Sequence, residues 1–185
     1  MSKAKPRKTK TAKRYLFSYG TLQPRHAPAE IAPTVRRLRR VGKGSVRGRL
    51  YDLGDYPGAV LRRNGPQVIG QVFELPDDPE VLTRLDEYEG FDRSRPQGSL
   101  FVRKRCLVKL QNGKKLFCWM YAYNRPPGAT PPLPSGDYSK HRNDRNGCRT
   151  YGINCRPTWL MQNDSFRQPR CRNETELLTA WNHGA

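Results

Sequence analysis

A chain of 185 residues has room for one domain and its tails, and a core of that size folds without disulfide or metal staples. Hydrophobic residues make up only 35% and mean hydropathy is −0.88, so part of the length is not expected to pack. The charge of +19 is uneven: residues 1–14 carry seven Lys and Arg and no acid, residues 15–138 carry 20 basic and 12 acidic side chains, and residues 139–185 carry eight and four. The first stretch reads as a disordered, solvated leader whose one expected interaction is weak, nonspecific polyanion binding. No run approaches the ~18 apolar residues of a membrane span, and Met1 to Arg14 lacks the apolar segment of a secretory signal, so a cytoplasmic protein is expected. Five cysteines, an odd number, do not make a secreted disulfide framework. Cys148, Cys155 and Cys171 lack the close pair of a zinc site, so no metal is expected.

The ordered part begins at Tyr15-Leu16-Phe17-Ser18, a strand stopped by Gly20. Pro24, Pro28 and Pro33 keep the next stretch irregular, with a helix expected around Thr34 to Arg40 whose arginines form a solvated face. Ser45 to Leu53, Ala59 to Leu61 and Val68 to Leu75 read as strands, separated by Gly54-Asp55-Tyr56-Pro57-Gly58 and Asn64-Gly65. Asp78-Pro79-Glu80 opens a helix with an N-cap aspartate, a first-turn proline and a first-turn acid, and Gly90 stops it after Glu89. Phe101 to Leu110 and Leu116 to Asn124 flank Asn112-Gly113 as a hairpin. Five prolines between Pro126 and Pro134 end regular structure, and residues 139–185 show no period, so a mostly disordered tail is expected. Strands with one firm helix imply a small α+β fold on a mixed sheet or barrel.

No nucleophile elbow, phosphate loop or dinucleotide glycine spacing is present, which removes most triad, phosphoryl-transfer and hydride chemistry. What remains is a carboxylate in an unusual place. On the helix with the apolar stripe Val81, Leu82, Leu85 and Tyr88, Glu89 lies roughly 50° from the stripe's centre, Asp86 roughly 110° and Glu87 about 150°. Asp86 and Glu87 can therefore be solvated, while Glu89 faces the core or a cleft in it. Burial raises a carboxyl's pKa and suits it to general acid–base work; a structural glutamate bound to backbone or arginine is the other reading. Tyr19-Gly20-Thr21-Leu22 follows the first strand, where a sharp turn can aim successive N–H groups at one anion or be only a turn.

Together these segments resemble the γ-glutamyl cyclotransferase superfamily, and more closely its γ-glutamylamine cyclotransferase and AIG2-like branch. The resemblance rests on Tyr19-Gly20-Thr21-Leu22, then Gly48-Arg49-Leu50-Tyr51-Asp52-Leu53-Gly54-Asp55-Tyr56-Pro57, then Leu85-Asp86-Glu87-Tyr88-Glu89-Gly90 and Trp119-Met120-Tyr121-Ala122-Tyr123, in order over residues 15–138. It implies a barrel of five or six strands with flanking helices, no cofactor, and a small γ-glutamyl substrate. Glu89 would be the acid/base catalyst of 5-oxoproline formation, and Tyr19, Gly20, Thr21 and Leu22 the substrate-binding loop. Tyr51, Tyr56, Tyr121 and Tyr123 are pocket hydroxyls or core packing. A catalytically silent relative or a basic nucleic-acid binder is the competing reading, although the aromatics lie in the domain and the densest charge in the leader.

Overall fold

Along the strands side chains alternate between an interior and an exterior, the period of two that a closed sheet requires. The computed structural model describes residues 12–147. Its elements are β1 (Arg14–Ser18), α1 (Ala32–Arg36), β2 (Arg39–Asp52), β3 (Pro57–Leu61), β4 (Gln67–Leu75), α2 (Pro79–Tyr88), β5 (Phe101–Leu110), β6 (Lys115–Tyr123) and α3 (Tyr138–Gly147). The sheet runs β3-β2-β4-β1-β6-β5, and β2 also pairs with β5 through Gly44–Leu110 and Ser45–Lys109. That last contact closes five strands into a barrel and leaves β3 as an extra strand on the far half of β2. Only β1 and β6 run parallel, Leu16 beside Trp119. This is the mixed barrel that the strand pattern implied.

Two apolar clusters result. The barrel interior holds Phe17, Val46, Leu50, Val68, Val72, Cys106, Val108, Cys118 and Met120. A second cluster lies outside the sheet, where Val35 of α1 and Val81 and Leu85 of α2 pack on Leu16, Phe73 and Tyr121. Helix α2 begins as expected: the Asp78 side chain accepts from the Glu80 N–H at 2.9 Å, with Pro79 in the first turn. It ends where Gly90 takes φ +62°, a conformation a side chain disfavours.

Three expectations differ from the structure. Helix α1 stops at Arg36, and Arg39 and Arg40 already belong to β2, where they meet Glu74 and Gln71 of β4. A register shift between Arg40 and Gly42 bulges that strand start, which the sequence reading divides between the end of a helix at Arg40 and a strand from Ser45. Beyond residue 138, where no regular structure is expected, α3 forms. Tyr138 is buried with the barrel cluster, and the His141 ring lies 2.7 Å from the Asp52 carboxylate. The expectations for residues 1–11 and 148–185, including the three tail cysteines, lie outside the described residues. Cys106 and Cys118 are free and buried. No helix among the described residues is long and apolar enough to cross a membrane.

Candidate active site

The loop after β1 is fixed from both ends. Tyr19 is buried, and its hydroxyl donates to the Tyr121 carbonyl at 2.9 Å and accepts from the Ala59 N–H at 3.3 Å. Leu22 is buried in the outer cluster. Between them Gly20 passes so close to Pro57 that a Cβ there would stand 2.7 Å from the proline Cγ. The segment 19–22 is thereby pressed against the start of β3, which brings together two motifs far apart in the chain. Among the described residues the backbone N–H groups of Gly20, Thr21 and Leu22 find no acceptor. A run of free N–H groups in a fixed turn is able to receive an anion.

Helix α2 brings Glu89 to this loop. The side chain of Thr21 hydrogen-bonds Tyr88, the residue before Glu89, which couples the helix end to the turn. Glu89 keeps partial exposure, yet the protein around it strips enough water to push its carboxyl up to about 8. Its charge acts on Tyr19, Tyr88 and Tyr121, whose phenols are all raised, each mainly by burial. Among the described residues the Glu89 carboxyl makes no hydrogen bond and no ion pair. The structural reading of Glu89, with backbone or arginine as partner, thus finds no such partner there.

One turn earlier the structure departs from the helix geometry. Asp86, placed by the wheel at a solvated edge, is buried. Its Oδ2 accepts from Arg103 Nη1 at 2.6 Å and its Oδ1 from the Tyr121 hydroxyl at 2.7 Å. The Arg103 side chain is 5% exposed, with its guanidinium 5.0 Å from the Trp119 ring centroid and 5.6 Å from that of Phe91. The wheel sees only the helix's own stripe; it cannot see a cation supplied from a strand 17 residues later. The signal available was Asp86 itself, three residues before Glu89 and hence on the same flank. Glu87, by contrast, is exposed and pairs with Arg84 at 2.9 Å, as a solvated residue should.

The four tyrosines offered as pocket hydroxyls divide. Tyr121 spends its hydroxyl on Asp86, and Tyr51 is buried beside Gly58 in the β2–β3 pairing. Tyr56 and Tyr123 stay partly exposed and both pack edgewise or tilted on Phe101, at 5.7 and 5.8 Å between centroids. Among the described residues no group of three or more His, Cys, Asp or Glu is arranged to hold a metal ion.

Residues 16–140 match the family model described as "Gamma-glutamyl cyclotransferase, AIG2-like". A putative γ-glutamylcyclotransferase of Methanocaldococcus jannaschii is 28% identical over 130 residues, 69% of this chain and 98% of the relative. The γ-glutamylcyclotransferase family protein YtfP of Escherichia coli K12 is 32% identical over 124 residues, 66% of this chain and 94% of its own. The crystal structure of an AIG2-like protein from Mus musculus superposes with a TM-score of 0.53 at 20% identity, covering 68% of this chain and 93% of that one, and so shares the fold. With residues 16–140 matched by the family model and two thirds of its length aligned to these relatives, the chain belongs to the γ-glutamyl cyclotransferase, AIG2-like family.

Proposed function

We propose that the protein converts a γ-glutamyl compound into 5-oxoproline and a free amine or peptide, with Glu89 as the acid/base catalyst. The observation that carries this reading is the Glu89 carboxyl, unpaired among the described residues and raised to about 8 by burial, on a helix end tied to a turn whose N–H groups find no acceptor among those residues. In the reaction the substrate's α-nitrogen bonds to its own γ-carbonyl carbon, and the bond from that carbon to the leaving nitrogen breaks. The α-amine must lose a proton to attack, and the leaving amine must gain one. Glu89 takes the first proton and returns it to the second, so it ends in the state in which it began. A carboxyl near 8 is well matched to an amine, because neither transfer is then steeply uphill.

The loop Tyr19 to Leu22 receives an oxygen anion of the substrate on the N–H groups of Gly20, Thr21 and Leu22, with Gly20 keeping the backbone close. Holding the flexible glutamyl chain folded on this turn supplies a large part of the rate, since it replaces a search over chain conformers with one near-attack geometry. Asp86 acts through Arg103 and Tyr121 as a positioning residue for the end of α2. The chemistry needs only carboxyl proton transfer and no cofactor, and it suits the expected cytoplasmic setting. The test is Glu89→Gln, which folds but loses about 100-fold or more in 5-oxoproline release because an amide cannot accept the α-amine's proton. Glu87→Gln, on the solvent side of the same helix, stays within about twofold of wild type. Wild-type turnover by Glu89→Gln overturns the assignment.

A further inference from the structure

On the outer face of β5 and β6 the helices cover one end and leave the other bare. Cross-strand pairs run Arg103–Tyr121, Arg105–Trp119, Leu107–Phe117 and Lys109–Lys115. The first pair is buried against Asp86, whereas Leu107 and Phe117 are 47% and 60% exposed. The Arg105 guanidinium stands 5.0 Å from the Phe117 ring centroid. Beside this ladder an open groove of about 220 Å³ is lined by Lys13, Arg14, Arg105, Phe117 and Trp119, among others. Its volume lies below the ~300–1,000 Å³ of enclosed small-molecule pockets, so it suits a chain lying along the surface more than a buried ligand.

The exposed charged side chains of this ladder are basic, and one acid, Glu74, stands beside Lys13. Arg105, Lys109 and Lys115 are exposed, and Lys13 shares the single carboxylate of Glu74 with Arg39. The chain enters the described structure at Ala12, on the groove's lining, and the sequence before it holds Lys3, Lys5, Arg7, Lys8 and Lys10 and no acid. Lys115 stands two residues before Phe117, and the barrel adds Arg105 and Lys109 from β5 and Lys13 beside β1 to the same face. An exposed aromatic flanked by cations on a sheet face is the arrangement that stacks unpaired bases while holding their phosphates. A duplex hides its base faces and would leave Phe117 without a partner.

We propose that the β5–β6 face and the adjoining groove bind single-stranded nucleic acid, with Phe117 stacking on a base and Lys13, Arg105, Lys109 and Lys115 meeting phosphates. This does not depend on the cyclotransferase reading. The experiment is fluorescence anisotropy on the full chain, with labelled oligothymidylate and oligouridylate of about 12 nucleotides and a duplex of equal length, across a salt series. The single strands bind more tightly than the duplex. Phe117→Ala weakens them about tenfold while changing duplex binding less than about twofold, and Phe117→Tyr restores the loss. Arg105→Gln weakens binding and lowers the slope of log affinity against log salt by about 0.7. Thermal melts establish that these surface variants are folded, and 5-oxoproline release of Phe117→Ala stays at the wild-type level. The proposal is overturned if Phe117→Ala binds single strands like wild type, if duplex or heparin binds as tightly as the single strands, or if the full chain binds neither oligonucleotide.

Discussion

Burial pushes the Glu89 carboxyl up to about 8, which bears on stability and on the proposed catalysis. As the proposed base Glu89 works only when ionised, so kcat/KM for 5-oxoproline release should rise with pH through an apparent pKa of about 8. An inflection near the ordinary value of 4.5 would show that Glu89 is solvated in the working enzyme. The same shift has a stability consequence of definite sign. Between 4.5 and about 8 the folded protein holds this proton more tightly than the unfolded chain does. Glu89's contribution is therefore fully present below 4.5 and lost as pH rises through about 8. Glu89→Gln has no such proton to lose, so its melting temperature gains on wild type as pH rises toward and past ~8, and the gap closes in acid. A constant difference across that range would contradict the desolvated carboxyl.

Among elements, α2 and the β5–β6 hairpin hold the site, and the buried Asp86–Arg103 pair joins them. Asp86→Ala leaves a guanidinium that is 5% exposed without its carboxylate, and urea titration should show a loss of about 3–5 kcal/mol. A loss under about 1 kcal/mol would mean that the pair is solvated in the working protein. These elements were also the most legible ones. Asp78-Pro79-Glu80, Gly90 and Asn112-Gly113 are local chemical signals, and the helix and both strands lie within a residue or two of where those signals put them. What escaped depended on distant partners. Asp86 looks solvated until a cation arrives from β5, and Arg39 and Arg40 at the start of β2 look like the end of a helix until β4 supplies Glu74 and Gln71. The link between the end of α2 and the turn at Gly20 was legible only as an order of motifs; it is made by the Thr21–Tyr88 hydrogen bond, with Gly20 packed on Pro57.

For the whole molecule, α3 extends the folded domain past Tyr138. We expect a chain of residues 13–147 to stay folded and active. Cutting at 140 removes His141, whose ring meets Asp52 of β2, and lowers the melting temperature while leaving Tyr138 in the barrel cluster. Equal melting temperatures for the two truncations would show that α3 adds nothing to the barrel. The exposed Phe117 marks what a linear reading misses, because the face that sets it beside Arg105 and Lys13 exists only after β1, β5 and β6 align. The most direct test of the account is product analysis on a panel of γ-glutamyl compounds: γ-glutamyl-amino acids, γ-glutamyl-lysine, glutathione and other γ-glutamylated amines. Wild type should release 5-oxoproline and free amine in equal amounts from at least one of them, and Glu89→Gln should not. Release of glutamate in place of 5-oxoproline, undiminished turnover by Glu89→Gln, or no 5-oxoproline from any member of the panel would contradict intramolecular attack governed by Glu89.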